Sequence, residues 1–280
     1  MSAPDTIAPI LLDRFPKINA EQKRVIAHVD GPLLVIAGPG SGKTFSLVLR
    51  AINLLLTERA KPSELMLCTF TEKAAYELQD RIGSAARAVN YKGDLSELRV
   101  GTIHGICNKL ILEFRHLTPL GSGYETLDDL TQLLFIFDHF REIFGATAEP
   151  PYLGHWKTKW TAIEGIRDYL NKITEELVSP QDMAASGNEF ISGLATAYLS
   201  YRKLLFDQNR VDFAHQQKMV FELLQDPEVC AKITGRVRYV LVDEYQDTNY
   251  IQEQILFALT RQTKNLCVVG DEDQAPLPKV

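Results

Sequence analysis

LLVIAGPGSGKT, residues 33–44, is the stretch of sequence on which the fold prediction depends. A short apolar run, typical of a buried strand, leads into a loop with three glycines and then into a helix that opens at Lys43. Glycines let main-chain N–H groups converge on phosphate oxygens, and the helix N-terminus adds its dipole. We therefore predict a phosphate-binding loop here; the alternative is a glycine-rich turn that binds nothing.

The strand-helix unit recurs along the chain. Apolar runs at 65–70, 99–104, 238–243 and 265–270 predict further strands, and Thr71 is the expected N-cap of the helix after the first of them. Continuous apolar strands that alternate with amphipathic helices are typical of an α/β fold with a parallel sheet covered by helices on both faces.

Between residues 117 and 232 the pattern changes to helical periodicity without strand candidates. Leu133, Phe137, Phe140 and Phe144 follow a helical spacing and predict one apolar helix face. We therefore expect three segments: 1–116 and 233–280, which together build the sheet domain, and 117–232, an all-helical insertion.

Composition restricts the class of protein. The chain has 280 residues, 45% of them hydrophobic and 24% charged, which excludes a disordered or collagen-like chain. Four scattered cysteines predict reduced, buried thiols. No apolar run suits a membrane span and no secretory leader is visible, so we expect no membrane association and a cytoplasmic location. With a net charge of −6, any nucleic-acid contact must be a local groove.

The loop and two acidic strings carry the predicted chemistry. Lys43 would reach the β- and γ-phosphates of a nucleotide, and the Thr44 hydroxyl would ligate Mg²⁺. Asp243 and Glu244 follow an apolar strand, so the first would hold Mg²⁺ and the second would orient and deprotonate the attacking water. Gln274, in the string GDEDQ at 270–274, would sense the γ-phosphate.

Taken in order, these motifs resemble those of the UvrD/Rep-type superfamily 1 DNA helicases. The matching segments are INAEQ at 18–22, AGPGSGKT at 37–44, TFTEKAAYELQDRI at 69–82, GTIHGICNKLI at 101–111, LVDEYQDTN at 241–249 and GDEDQ at 270–274. The resemblance implies a P-loop NTPase whose sheet is the first RecA-like motor domain, with the helical segment inserted into it. It also implies a motor that moves 3′ to 5′ on single-stranded DNA or at a junction with duplex.

The resemblance assigns the remaining site residues. Gln22 would read adenine, and the cofactors ATP and Mg²⁺ would be held by the loop residues Ala37, Gly38, Pro39, Gly40, Ser41, Gly42, Lys43, Thr44 and Phe45. Phe45 replaces a basic residue that many family members carry, and Ala37 replaces the glycine of the strict motif. Phe70 would stack on DNA bases, with Thr69, Thr102 and His104 near the DNA backbone.

The stretch 152–160 (YLGHWKTKW) interleaves aromatic residues with lysines and has two interpretations. It could contact nucleic acid, or Trp156 and Trp160 could form one buried helix face; we favour the buried face.

After Gln274 the chain reads APLPKV, whereas the family continues into a second motor domain that supplies arginines. Our prediction is therefore the N-terminal ATP-binding portion of an ATP-dependent DNA helicase, slow in hydrolysis without its second motor domain. The alternatives are a truncated, non-catalytic nucleotide- or partner-binding module and a phosphate-loop kinase; the DEYQDTN string and the missing arginine-rich lid argue against the kinase.

Overall fold

The computed structural model describes residues 6–271, which form two compact units. The first, called the sheet unit, comprises 6–106, 224–248 and 253–271. The second, called the helical unit, comprises 107–223 and 249–252.

The secondary structure alternates between strands and helices in the sheet unit and is mainly helical elsewhere. The strands are β1 (Leu33–Ile36), β2 (Leu65–Thr69), β3 (Arg99–Thr102), β4 (Glu125–Leu127), β5 (Arg210–Asp212), β6 (Tyr239–Val242) and β7 (Leu266–Gly270). The helices are α1 (Pro9–Arg14), α2 (Ala20–Ala27), α3 (Lys43–Leu56), α4 (Glu72–Ala88), α5 (Ile103–Glu113), α6 (Asp129–Asp138), α7 (Phe140–Phe144), α8 (Lys159–Glu175), α9 (Pro180–Ala184), α10 (Glu189–Asp207), α11 (Phe213–Leu223), α12 (Pro227–Thr234) and α13 (Tyr250–Leu259).

Five parallel strands form the sheet of the first unit, in the order β1-β7-β6-β2-β3. Every residue of β2, β6 and β7 is buried, which explains why these strands are continuous apolar runs. The predicted α/β fold with a parallel sheet is thus confirmed. Because the strands are parallel, their carboxyl ends lie at one edge, where loops after β1, β6 and β7 meet.

Local signals in the sequence account for the helices of the sheet unit. The Thr71 side chain accepts a hydrogen bond from the Ala74 N–H and caps α4 as predicted. Ala75, Leu78 and Ile82 of α4 recur at helical spacing and are buried, as expected of an amphipathic helix. In α3 even Arg50 is buried, and its guanidinium donates to the carbonyl oxygens of Val25 and Val29.

Strand β1 departs from the prediction that both sheet faces are covered. Leu34 and Ile36 leave 61% and 54% of their surfaces exposed, while Leu33 and Val35, which point to the other face, pack against the core. Strand β1 lies at an edge of the sheet, and its residues line an open cavity with residues of α2.

The helical unit contains a small sheet that the sequence analysis did not predict. Strands β4 and β5 are three residues long and pair in parallel. The prediction of an all-helical insertion was therefore wrong at these two places, because three residues are too few to show strand periodicity. The turn after β5 is held by Asp212, whose carboxylate accepts from the His215 N–H at 2.7 Å and from the buried Tyr201 hydroxyl at 2.7 Å.

Two predicted apolar faces of the helical unit are also interrupted. Phe137 is exposed, and because α6 ends at Asp138 and α7 starts at Phe140, the predicted spacing does not continue along one helix. Trp156 precedes α8 and packs against Tyr169 and Phe190. Trp160 lies within α8 and is 50% exposed, so the favoured prediction of one buried face for both tryptophans was wrong.

In the part of the chain that the structure describes, no helix has the length and apolar character that crossing a membrane requires.

Candidate active site

The loop between β1 and α3 forms a concave cradle at the carboxyl edge of the sheet. Gly40 and Gly42 adopt left-handed conformations, with φ of 75° and 85°. The positive φ favours glycine at position 42, where a Cβ would also lie 2.7 Å from the Gln22 amide nitrogen and would displace the end of that side chain. The loop and the first turn of α3 line a cavity of 410 Å³, together with Arg81, Glu244 and Asp271.

The Lys43 ammonium lies within this cradle and has two partners. It donates to the Ala37 carbonyl oxygen at 2.8 Å and pairs with the Asp271 carboxylate at 3.2 Å. Both charged side chains are largely buried, so their attraction is only weakly screened. A nucleotide phosphate offers Lys43 the same charge that Asp271 provides. Binding of a phosphate would therefore exchange one anion for another.

Thr44 and Asp243 meet although they stand 199 residues apart in sequence. The Thr44 hydroxyl donates to an Asp243 carboxylate oxygen at 2.7 Å. Burial raises the pKa of the Asp243 carboxyl above its ordinary value, and the adjacent Glu244 charge adds to the shift. A hydroxyl and a buried carboxylate are hard oxygen donors of the kind Mg²⁺ takes, and a bound dication would favour the ionised form of Asp243. The residues present thus fit the predicted metal site.

Glu244 is placed in the same cavity by an unusual backbone conformation. It has φ of 55°, which is uncommon for a residue with a side chain, and a short 3₁₀ turn, Tyr245–Asp247, follows it. Glu244 lines the same cavity as Lys43 and Thr44. A carboxylate in that cavity could accept a proton from a water molecule beside a nucleotide phosphate.

Gln22, the predicted adenine-reading residue, and Phe45, the last residue of the predicted loop, lie beside the cradle. Gln22 forms a capping box with Asn19 on α2 and donates to the Ser41 carbonyl oxygen at 3.1 Å, so its amide already supports the loop. Phe45 contacts Phe15 edge to face, with 5.8 Å between ring centroids. These two rings and Arg81 help line a second cavity of 380 Å³, which shares Phe45 and Arg81 with the phosphate cavity.

The predicted DNA-contacting residues fall into two groups. Thr69 and Thr102 pair in register at the ends of β2 and β3, but both side chains are buried. The Thr102 hydroxyl donates to Glu72 at 2.8 Å. Phe70, the next residue after β2, is 49% exposed, and His104 is half-buried.

Sequence reasoning missed two residues of the cavity. Arg81, on α4, lies within the matching segment 69–82, and Asp271 lies within GDEDQ at 270–274, but the sequence analysis assigned neither residue a role. A signal was present for Asp271, since a carboxylate after a buried parallel strand lies at the ligand edge of the sheet. The third predicted catalytic residue, Gln274, lies outside the described residues.

Comparison with known proteins gives a family and several relatives. The family model described as "UvrD/REP helicase N-terminal domain" matches residues 18–275. A probable DNA helicase II homolog of Rickettsia felis is 30% identical over 94% of this chain and 38% of its own length. An ATP-dependent DNA helicase PcrA of Staphylococcus epidermidis is 30% identical over 92% of this chain and 34% of its own length. The chain thus spans little more than a third of these relatives.

Proposed function

This chain belongs to the family of UvrD/REP helicase N-terminal domains, and on that premise we propose that it is the ATP-binding motor portion of a DNA helicase that moves 3′ to 5′ on single-stranded DNA. The observation that carries the proposal is that Lys43, Thr44 and Glu244 line one cavity of 410 Å³ and that the Thr44 hydroxyl donates to the Asp243 carboxylate at 2.7 Å. The relatives' printed names, DNA helicase II and PcrA, agree with it.

Each of these residues has a distinct task in the proposed reaction. Lys43 leaves Asp271 and binds the β- and γ-phosphates, while main-chain N–H groups of the loop bind the phosphate oxygens. Thr44 and Asp243 would hold Mg²⁺, which supplies charge neutralisation for the departing phosphate when it is bound. Glu244 orients a water molecule and accepts its proton as the water attacks the γ-phosphate.

Hydrolysis by these 280 residues is expected to be slow. An arginine finger contributes about 10³–10⁵ in rate to phosphoryl transfer, and we propose that this charge comes from a second motor domain, as the greater length of the relatives allows. The test is the ATPase rate of the chain with and without single-stranded DNA. A slow rate with little stimulation is expected. Rapid, DNA-stimulated ATP hydrolysis by this chain alone would contradict the proposed need for a second domain.

DNA binding can be tested at Phe70. Replacing Phe70 with alanine is expected to weaken binding of single-stranded DNA by about 1–3 kcal/mol, because a base loses its stacking surface. Phe257→Ala is the matched control: Phe257 is also a phenylalanine of the sheet unit, and it is 47% exposed against 49% for Phe70. The measurement is fluorescence anisotropy of a labelled oligothymidine. If the two variants bind the oligothymidine with equal affinity, Phe70 does not contribute a stacking surface for DNA bases.

A further inference from the structure

Gln246 occupies a position in the site that the proposed mechanism does not use. It lies in the 3₁₀ turn after Glu244, and its amide group makes two hydrogen bonds. The amide nitrogen donates to a Glu244 carboxylate oxygen at 2.6 Å, and the amide oxygen accepts from the Asp271 main-chain N–H at 3.0 Å. One side chain thus connects the residue proposed as general base with the end of β7.

The direction of these two hydrogen bonds is determined by chemistry. A main-chain N–H can only donate, so Asp271 must face the amide oxygen of Gln246. The amide nitrogen must then face Glu244, and it can only donate there. Such an arrangement requires an acceptor at Glu244, which the ionised carboxylate provides and which a general base needs.

Asp271 extends the connection to the phosphate loop. Its carboxylate pairs with the Lys43 ammonium at 3.2 Å, while its N–H is held by Gln246. A continuous chain of contacts therefore runs from Lys43 through Asp271 and Gln246 to Glu244. If a phosphate displaces the Asp271 carboxylate from Lys43, the change occurs at the same residue whose main-chain N–H donates to the Gln246 amide oxygen.

We propose that Gln246 is a positioning residue that holds the Glu244 carboxylate in place and couples it to Asp271 at the end of β7. The inference rests on the proposed function, in which Glu244 accepts the proton of the attacking water. Gln246 itself touches neither nucleotide nor water in this proposal. Its role is to fix the Glu244 carboxylate, a group whose misplacement by about 1 Å can cost about 100-fold in rate.

Two substitutions separate the two hydrogen bonds. Gln246→Ala removes both, whereas Gln246→Glu keeps an acceptor for the Asp271 N–H but presents a second carboxylate to Glu244. We expect single-turnover ATP hydrolysis to fall at least about 10-fold in both, with the Kd for Mg–ADP unchanged within about twofold. Tyr245→Phe is the control, because Tyr245 lies in the same turn but its hydroxyl donates to Glu253 on α13, at 2.6 Å.

Nucleotide affinity distinguishes positioning from a general structural effect, because a disrupted site would lose Mg–ADP binding together with hydrolysis. A wild-type hydrolysis rate in either variant, or a loss of Mg–ADP affinity as large as the loss of rate, would overturn the positioning role.

A second readout does not depend on hydrolysis. The side-chain amide signal of Gln246 in a ¹H–¹⁵N spectrum is assigned as the one lost in Gln246→Ala. It should shift in Glu244→Gln and stay in place in Tyr245→Phe; an unchanged signal in Glu244→Gln would contradict the contact. A wild-type hydrolysis rate no faster than that of Glu244→Gln would instead contradict the proposed function, and the amide signal then decides the contact alone.

Discussion

Replacing Lys43 with alanine is expected to weaken binding of Mg–ATP by about 100-fold, because a charge-assisted hydrogen bond contributes about 1.5–3 kcal/mol. The effect has a second source in this protein. Without Lys43, the buried Asp271 carboxylate has lost its ammonium partner and faces the phosphates with like charge. The measurement is a titration with a fluorescent ATP analogue in the presence of Mg²⁺.

Lys92→Ala is the matched control for this prediction. Lys92 is an exposed lysine of the same unit that lies after α4, outside the residues that line the cavity. Its removal changes the net charge equally and should leave the affinity unchanged. If the Lys43 variant binds as tightly as wild type, or if neither binds at all, the non-catalytic module becomes the better description of this chain.

Replacing Glu244 with glutamine is expected to reduce single-turnover ATP hydrolysis by about 10²–10⁴ while nucleotide binding is retained. An amide has the shape of the carboxylate but cannot accept a proton from the attacking water. Binding should persist because the phosphates are held by the loop and by Lys43, which this substitution leaves intact.

Asp247→Asn provides the control for the general base. Asp247 is the exposed carboxylate at the end of the same 3₁₀ turn, and it does not line the phosphate cavity. Its substitution should leave hydrolysis within about twofold of wild type, as is usual for surface positions. Hydrolysis at the wild-type rate by Glu244→Gln, or a comparable loss in both variants, would show that Glu244 is not the base.

The strands and helices of the sheet unit could be predicted closely because their signals are local. Strand β6 was predicted at 238–243 and spans Tyr239–Val242, and the cap at Thr71 was identified from two residues. Burial on both faces makes such strands apolar throughout, and caps depend on one side chain and the next turn. The exposed face of β1 could not be predicted in this way, since an edge strand and a central strand can share one sequence pattern.

Several features of the helical unit could not be predicted from local sequence signals. Strands β4 and β5 are too short to carry a pattern, and each is stabilised by a partner about 85 residues distant in the chain, as the Arg210–Glu125 ion pair illustrates. The exposure of Phe137 and Trp160 depends on where helices break and what packs on them. Hydrophobic periodicity indicates which residues share one face of a helix, but it shows neither where the helix breaks nor which elements pack against it.

The amino-acid sequence by itself determined which residue types could handle a nucleotide: a glycine loop, a lysine, a hydroxyl and two adjacent acids, each identifiable from its immediate neighbours. Only the tertiary structure decided which of them meet. The contacts between Thr44 and Asp243, between Lys43 and Asp271, and between Gln246 and Asp271 depend on parallel strands ending at one edge. Chemistry belongs to the side chain, whereas proximity across 199 or 228 residues depends on strand order and register, which no local pattern specifies.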